Sequence, residues 1–343
     1  MTTKKETRRS FLCKTGLLGM AGIAGTGCKL PDSRISASRK FEVLKFGLIA
    51  DIHFGLVYDA DRRLDAFLQK VEIEKPDFVI SLGDFVHNSR LPESKNFAGR
   101  FKSAACPAFH VLGNHDVDSA TKKEACAFME MSAPYYSCDA GGYHCVMLDG
   151  NYFYSDNRFG SYEKGNHSQY GDYINDEQCE WLVADLKATN LPVFIFSHQS
   201  LLHDEWGIPN KAYVQRLLEQ ENERAGFNKV LACFNGHHHQ DFYRNINGIH
   251  YFSINSVSYF WHDRKMPGRY PAELQEKYKW MDNMAIYKDP LFCFVTIKPS
   301  GSLQLKGTES EWIAAVPDEI ASKSVRFGRE MTPSILDREV ILR

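Results

Sequence analysis

The chain lacks the features that mark several large protein classes. Its 343 residues carry 41 Lys and Arg against 43 Asp and Glu, and this balance gives no electrostatic case for a nucleic-acid polymer as a partner. No apolar run approaches the roughly 20 residues that a membrane-spanning helix needs. The sequence also has no internal repeat and no low-complexity tract. What remains is an ordinary globular composition, with 43% hydrophobic residues.

The amino terminus predicts export of an already folded chain. Residues 7–12 contain Arg8-Arg9 after a short basic stretch and precede a glycine-rich apolar run to Gly27, which resembles a bacterial twin-arginine signal. We therefore assign residues 1–27 to a signal peptide and expect a periplasmic or membrane-anchored protein. Cys28 ends a loose lipoprotein cleavage site; ordinary signal cleavage, with Cys28 as an incidental thiol, is the alternative. Loss of residues 1–27 removes five basic residues and one acidic residue, which changes the net charge from −2 to −6.

Cysteine is present but never at a metal-binding spacing. None of the nine cysteines forms a Cys-x-x-Cys pair, so a thiolate zinc site is not expected. Seven follow Cys28, an odd number that argues against complete pairing. Folding before export would also take place in a reducing compartment. Cys126, Cys138 and Cys145 are close enough in sequence for one disulfide, and most of the cysteines are expected to be small core residues.

From Phe41 onward, short apolar runs alternate with helical patterns, which is typical of an α/β domain. We predict a polar tether over residues 28–40, a catalytic domain over 41–306 and a C-terminal extension over 307–343. The predicted strands are Lys45–Ala50, Phe78–Leu82, Ala108–Leu112, His144–Leu148, Val193–Ser197, Val230–Asn235 and Ile249–Ile254. The predicted helices are Asp61–Glu74, Ser119–Met131, Asp176–Thr189 and Lys211–Ala225. A hairpin is predicted from Phe292–Lys298 and Ser302–Lys306.

Two aromatic-rich stretches, Gly150–Asn175 and Ser256–Asp289, interrupt this alternation. Long loops in a compact domain are usually functional or disordered, and the aromatic content argues against disorder. The aromatic side chains could stack a nucleobase, or they could cover the edge of the domain. The candidate substrate contacts from these stretches are Tyr154, Tyr259 and Trp261.

Five short polar motifs each follow a predicted strand. They are Asp51-Ile52-His53, Gly83-Asp84, Gly113-Asn114-His115-Asp116, His198 and Gly236-His237-His238-His239. Ligands gather outside the carboxyl ends of strands in α/β sheets, so we expect these side chains to converge. Side chains two residues apart in extended backbone face the same side and can grip one centre. Carboxylate, imidazole and amide ligands without sulfur suit divalent Mn, Fe, Zn, Co or Ni. The three glycines are expected to allow sharp turns.

This ordered series resembles the calcineurin-like metallophosphoesterase superfamily. The resemblance implies a four-layer α/β/β/α sandwich of two mixed β-sheets flanked by helices, with two divalent metal ions, most often Mn, Fe or Zn, at one edge. It implies a first metal site of Asp51, His53, Asp84 and His239. It implies a second site of Asp84, Asn114, His198 and His237, with Asp84 bridging. His115 is implied to be a general acid or charge stabiliser near the scissile phosphate.

The chemistry that follows is hydrolysis of a phosphomonoester or phosphodiester. A water molecule shared by two cations has its pKa lowered towards neutrality and can attack as hydroxide near pH 7. The reference pKa of His115, near 6.5, lets it donate a proton to the leaving alkoxide. Asp116 either orients His115 or caps the following helix. Small nucleotide-type substrates, including cyclic nucleotides and pyrophosphates, are slightly favoured over lipid head groups and envelope phosphate esters.

Several other polar residues have two possible interpretations each. His87 stands where purple acid phosphatases carry tyrosine, which argues against that subgroup, and it either faces solvent or lines the cleft. His238 is expected to face away from the metals or to line the substrate mouth. Arg90 and Arg100 are either phosphate clamps or, as we favour, surface residues. His110 and His144 are expected in the core or on the surface.

A different class of function is a surface lipoprotein that binds a ligand or glycan and keeps metal only as structure. That hypothesis predicts loss of the catalytic residues with retention of the metal ligands. His115 is present, so the sequence favours the enzyme.

Overall fold

The computed structural model describes residues 12–15, 41–167, 171–262, 265–316 and 331–342. Over this part of the chain, two mixed β-sheets face each other and helices cover both outer faces. The predicted α/β/β/α sandwich is therefore confirmed. Most of the predicted signal peptide and the whole tether, including Cys28, lie outside the described residues, so export and lipidation stay predictions. No helix within the described ranges is long and apolar enough to cross a bilayer.

The first sheet has seven strands. They are β1 (Leu12–Thr15), β5 (Tyr136–Ala140), β6 (Tyr143–Met147), β9 (Val193–Ser197), β10 (Val230–Asn235), β11 (Phe242–Ile246) and β12 (Ile249–Ser253). Their order across the sheet is β1-β5-β6-β9-β10-β12-β11. The central strands β6, β9, β10 and β12 are parallel, whereas β1, β5 and β11 pair antiparallel at the two edges.

The second sheet has six strands. They are β2 (Leu44–Ile49), β3 (Phe78–Ser81), β4 (Ala108–His110), β15 (Cys293–Ile297), β16 (Ser302–Lys306) and β17 (Arg338–Ile341), in the order β17-β16-β15-β2-β3-β4. β2, β3 and β4 are parallel, and the other three are antiparallel. β17 comes from the predicted C-terminal extension and pairs with β16, so this part of the extension is built into the sandwich.

Within the described ranges, seven α-helices connect the strands. They are α1 (Ala60–Glu74), α2 (Pro92–Lys102), α3 (Asn114–Val117), α4 (Lys122–Phe128), α5 (Asp176–Ala188), α6 (Lys211–Ala225) and α7 (Ala272–Lys277). Four of them (α1, α2, α5 and α6) lie in connections between parallel strands. The sequence pattern missed α2, although Pro92 at its start is a typical first-turn residue. The two aromatic-rich stretches are not plain loops. One contains a hairpin of β7 (Tyr152–Ser155) and β8 (Arg158–Ser161), and the other contains the pair β13 (Tyr259–Trp261) and β14 (Met284–Ile286), as well as α7.

The alternation of side chains along β9 explains the layering. Phe194 and Phe196 point to the space between the sheets, where they join an aromatic core with Phe46 and Phe234. Val193 and Ile195 point to the other face and pack with α5 and α6. Because both faces of this strand are buried, its sequence is a continuous apolar run, as expected for a strand inside a parallel sheet.

The cysteines and the two core histidines support this interior. The seven cysteines from Cys106 to Cys293 are all free, so the possible disulfide among Cys126, Cys138 and Cys145 is not formed. Six of the seven are buried, as expected for small core residues. His110 and His144 are also buried.

His144 lies between two carboxylates, and this gives a pH-dependent contribution to stability. Its Nδ1 is 2.6 Å from Asp139 Oδ1 and its Nε2 is 2.7 Å from Asp185 Oδ2. Burial opposes the imidazolium, but the hydrogen bonds to Asp185 and Asp139 outweigh burial and raise the pKa of His144 above its ordinary value. A raised pKa in the folded state stabilises the protein below pH 6.5, and this contribution is lost as the pH rises through the folded-state pKa.

We expect His144→Gln to lower the free energy of unfolding by about 1.5–3 kcal/mol at pH 5.5, because charged hydrogen bonds are lost. The loss should be smaller at pH 9. Urea denaturation of wild type and variant at both pH values measures the difference. An equal loss at both would mean that folding does not raise the pKa of His144.

Candidate metal centre

The seven predicted ligands meet at one edge of the sandwich, where the carboxyl ends of strands from both sheets lie side by side. The second sheet supplies Asp51 and His53 after β2, Asp84 after β3 and Asn114 after β4. The first sheet supplies His198 after β9, and His237 and His239 after β10. Six of the seven ligands are buried, with relative exposures of 6% or less, and His237 is partly buried.

Backbone hydrogen bonds between these loops fix their spacing. The N–H of Asp51 donates to the carbonyl of Gly83 at 3.1 Å, and the N–H of His53 donates to the carbonyl of Asp84 at 3.0 Å. Within the first sheet, the N–H of Gly236, after β10, donates to the carbonyl of His198, after β9, at 3.1 Å. The ligand loops therefore support one another directly. None of these three N–H groups depends on solvent for a hydrogen-bond acceptor.

The ligand loops hold non-glycine residues in the left-handed region of backbone conformation. Five of the seven predicted ligands have positive φ: Asp51 (55°), His53 (52°), Asp84 (50°), His237 (70°) and His239 (51°). Such residues cost of order 1–2 kcal/mol each and cluster at functional sites. This backbone also corrects the expectation that Asp51 and His53, or His237 and His239, share a side because they lie in extended strand. They meet through tight turns instead.

Two of the motif glycines are required by close approach and not by a left-handed turn. Gly83 has a φ of 95°, as expected for a sharp turn. Gly113, by contrast, is extended, with a φ of −91° and a ψ of 167°. A Cβ there would lie 2.2 Å from both the backbone nitrogen and Oδ1 of Asp84. At Gly236, a Cβ would lie 2.6 Å from Asp51 Oδ2.

Gly113→Ala is therefore expected to displace the Asp84 carboxylate and to lower both metal content and kcat/KM by about 10- to 100-fold, the range seen when groups supporting metal ligands are lost. The matched control is Gly99→Ala on α2, where a Cβ meets nothing within 4 Å. That control should keep activity and gain about 0.5–1 kcal/mol of stability. Metal analysis after dialysis and thermal unfolding separate the two results. Normal metal content in Gly113→Ala would contradict the packing argument.

The ligand atoms form two groups that each could hold a metal ion. Asp51, His53 and His239 make one group and Asp84, His198 and His237 make the other, with ligand atoms within 4.8 Å of one another in each. Asp84 Oδ2 lies 3.2 Å from His198 Nε2 and 3.6 Å from His53 Nε2. This carboxylate therefore stands between the two groups, where the resemblance places a bridging ligand.

Carbonyl groups of the backbone orient two of the imidazoles. His198 Nδ1 is 2.8 Å from the carbonyl oxygen of Leu82, and His239 Nδ1 is 2.8 Å from that of Tyr259. A carbonyl oxygen only accepts, so Nδ1 carries a proton and Nε2 is the nitrogen that faces the ligand group. Such outer hydrogen bonds fix the tautomer of a metal-ligating histidine.

Burial and neighbouring charge set the protonation of these groups. Burial lowers the pKa of His53 and of His237, which favours the neutral imidazole that binds metal. Burial also disfavours the charged forms of His198 and Asp84. Their mutual attraction outweighs that cost, raising the pKa of His198 to about 10 and holding the pKa of Asp84 well below its usual range. Positive charge is thus already stabilised beside Asp84.

The donor set fits a pair of divalent cations. The amide oxygen Oδ1 of Asn114 is buried, lines the cavity and has no hydrogen-bond partner among the described residues. Buried polar atoms without partners are rare and call for a ligand or ion. Together with two carboxylates and four imidazoles, this oxygen makes a nitrogen and oxygen set without sulfur, which suits Mn, Fe or Zn.

His115 adjoins the centre from α3. Its Nδ1 is 2.7 Å from Asp118 Oδ2, and Asp118 Oδ1 accepts a hydrogen bond from Tyr162 Oη at 2.5 Å. Burial lowers the pKa of His115, but the carboxylates of Asp84 and Asp118 outweigh burial and raise it to about 9. His115 also lies with His53 and Asp84 in a third group that could hold an ion.

The first role predicted for Asp116 was to orient His115, and that prediction is wrong. The Oδ1 of Asp116 accepts from the N–H groups of Phe85 and Val86, at 2.9 and 3.0 Å, and its Oδ2 accepts from the N–H of Gly113 at 2.9 Å. The Gly113 bond is a helix cap, in agreement with the alternative role. The other two bonds join this cap to the loop that carries Asp84. Asp118, one helical turn beyond His115, holds the imidazole instead.

A cavity of about 420 Å³ opens over the metal centre. Among the predicted substrate contacts, His87, Tyr259 and Trp261 line it. His238 lines it as well, so both His87 and His238 face the cleft, one of the two positions predicted for each. Arg90 and Tyr154 do not line it: Arg90 is exposed, and Tyr154 packs against Phe159 on the β7–β8 hairpin. Arg100 binds Asp61 and Asp65 of α1, so it is a surface residue as favoured.

Sequence reasoning missed four residues near the cavity. Asp118, Trp206 and Trp280 line it, and Tyr162 contacts Asp118 from below. The spacing of Asp118 three residues after His115 was a usable signal, since such residues face each other on a helix. Trp206 and Trp280 lie in irregular segments far apart in sequence, and no pattern connects them.

Comparison with known proteins agrees with this architecture. The family profile described as calcineurin-like phosphoesterase matches residues 44–241, more than half of the chain. The fold is similar to a dimetal phosphatase from Danio rerio, with 16% identity, a TM-score of 0.57, and coverage of 80% of this chain and 100% of that one. It is also similar to GAP50, the anchor in the inner membrane complex of Plasmodium, with 15% identity, a TM-score of 0.51, and coverage of 88% and 90%. No curated protein sequence matches the chain.

Proposed function

The chain belongs to the calcineurin-like phosphoesterase family, and from that premise we propose that it hydrolyses phosphoester bonds with two divalent metal ions and with His115 as general acid. The observation that carries the proposal is the position of Asp84. Its carboxylate lies between two groups of potential ligands, and the N–H of His115 donates to its Oδ1 at 2.9 Å. The acid and the metal centre are thereby held at a fixed separation.

Each side chain then has a defined task. Asp51, His53, Asp84 and His239 would hold one ion, and Asp84, Asn114, His198 and His237 would hold the other. Two ions held there supply Lewis acidity, which neutralises phosphate oxygens and lowers the pKa of water. The N–H of His237 donates to both carboxylate oxygens of Asp51, at 3.1 and 3.0 Å, and so orients that ligand.

His115 supplies the proton that the leaving alkoxide needs. Asp118 accepts from Nδ1, which leaves Nε2 as the proton donor towards the cavity, and Tyr162 holds Asp118 in turn. The raised pKa of His115 keeps it protonated near neutrality, as a general acid must be. A cation near Asp84 would offset part of that elevation and bring the pKa closer to the working pH.

Turnover of model esters by the purified chain lacking residues 1–28 tests the proposal. Rates with p-nitrophenyl phosphate and with bis(p-nitrophenyl) phosphate, each in Mn, Fe, Zn, Ni and Mg, should show metal-dependent hydrolysis of at least one ester. The same assay distinguishes a monoesterase from a diesterase. Absence of turnover with every metal, for both esters and for nucleotide substrates, would contradict the enzyme hypothesis.

A further inference from the structure

An aromatic wall forms one side of the cavity. It consists of Tyr259, Trp261 and Trp280, whose rings lie in series; Trp206 also lines the cavity, so three of the five tryptophans of the chain are lining residues. Leu56 is the one aliphatic residue among the described residues that line the cavity. A cavity for an acyl chain would be lined by aliphatic side chains, whereas this one presents ring systems beside a metal centre.

The wall runs without interruption from the metal centre to the cavity mouth. The ring of Tyr259 lies 4.7 Å from that of His239, a predicted metal ligand. Trp261 follows at 6.4 Å from Tyr259, since residues two apart on β13 face the same side. Trp280 lies 6.0 Å further on. A group bound along this series has one end at the metals and the other at the mouth.

The residue before Trp206 is bonded to the loop that carries His237 and His239. His238, between two predicted ligands, places its Nε2 2.9 Å from the carbonyl oxygen of Glu205, and its ring lies against that of His203, tilted by 30° with the centroids 4.2 Å apart. Trp206 itself has a φ of 59°, which is a strained conformation for a bulky residue. A bulky residue that is strained in its backbone and remains 51% exposed indicates a binding position and not a packing one.

The charges of the cavity limit what the other end of the ligand can carry. Its charged lining residues within the described ranges are Asp84 and Asp118, together with histidines; no Lys or Arg lines it. One phosphate at the metal centre is compensated by the two ions. A second phosphate would find carboxylates and indoles where it needs a cation.

We infer that the aromatic wall binds a flat aromatic ring system joined to a single phosphate, as in a nucleoside monophosphate. Base–aromatic stacking supplies the affinity, and the phosphate supplies the reacting group. This inference rests on the proposed function and narrows it, since it excludes pyrophosphate substrates.

A pair of substrates with the same leaving alcohol tests the inference. Adenosine 5′-monophosphate and ribose 5-phosphate both release a ribose 5′-alkoxide, and they differ in the base. We expect kcat/KM of the metal-loaded enzyme to be about 10- to 100-fold higher for the nucleotide, which corresponds to one stacked base. Adenosine 5′-diphosphate should have a lower kcat/KM than adenosine 5′-monophosphate.

Variants of the wall identify the residues responsible. Trp280→Leu and Trp261→Leu should each lower kcat/KM for the nucleotide by about 5- to 10-fold and lower kcat/KM for ribose 5-phosphate by a smaller factor. Trp312→Leu is the matched control, because Trp312 contacts Tyr287 away from the cavity. Quenching of tryptophan fluorescence by the nucleotide, and not by ribose 5-phosphate, gives a readout that needs no turnover.

The outcomes are separable. Equal kcat/KM and equal binding for the two monophosphates would overturn the role of the wall while the hydrolase proposal stands. A diphosphate preferred over the monophosphate would overturn the single-phosphate assignment. Failure to hydrolyse these compounds or either nitrophenyl ester would count against the proposed function itself, and fluorescence quenching would then still decide whether the wall binds the base.

Discussion

Asp84→Ala should lose both metal ions and at least about 10³-fold in kcat/KM, because metal catalysis supplies several kcal/mol of transition-state stabilisation. The Asp84 carboxylate is close to His53 on one side and His198 on the other, and it also accepts from the backbone of His115. Its removal therefore takes a ligand from each metal group and a support from the acid. Metal-to-protein ratios after dialysis and kcat/KM for p-nitrophenyl phosphate measure the two losses.

A surface variant controls for general damage. Asp289→Ala removes a carboxylate whose side chain is 60% exposed and whose partner is Arg62, so metal content and activity should stay at the wild-type level. Full occupancy of both metals in Asp84→Ala would contradict the bridging assignment. Loss of one metal alone would assign Asp84 to a single ion.

His115→Ala should keep both metals and lose turnover, by about 10²- to 10⁴-fold for an alkyl phosphate, the range of general acid catalysis. The loss should be much smaller for p-nitrophenyl phosphate, because nitrophenolate leaves without a proton. This dependence on the leaving group distinguishes an acid from a residue that merely shapes the cavity. Steady-state kinetics with both esters, together with metal analysis, give the result.

Asp118→Asn provides a graded companion. The amide cannot accept a charge-assisted hydrogen bond as well as the carboxylate, so we expect a smaller loss of kcat with the same dependence on the leaving group. Metal loss in His115→Ala would assign His115 to the third potential ligand group, with His53 and Asp84, and would remove it as the acid.

The sequence was most informative where burial and local pattern agree. Two strands and one helix have the predicted bounds: Val193–Ser197, Val230–Asn235 and Lys211–Ala225. Fully buried strands and an amphipathic helix each leave a direct pattern in the residues. The ligand motifs could be placed for the same reason, since each follows such a strand. Their convergence then follows from the parallel order of the strands.

Contacts between distant segments could not be read in this way. The role of Asp116 depends on N–H groups of Phe85 and Val86, some 30 residues earlier, and the need for glycine at position 113 depends on the backbone of Asp84. The lining of the cavity brings together Trp206 and Trp280, which are far apart in sequence. These features come from the approach of loops in space, for which local propensity has no signal.

The left-handed backbone at the ligand positions has a consequence for how such a chain changes over generations. Glycine or asparagine would occupy those conformations with less strain than Asp51, His53, Asp84, His237 or His239 does. Mutations that abolish the metal centre can therefore make the polypeptide more stable. Only selection for the chemistry opposes that drift, so a lineage released from such selection should lose these residues first, while its sandwich persists.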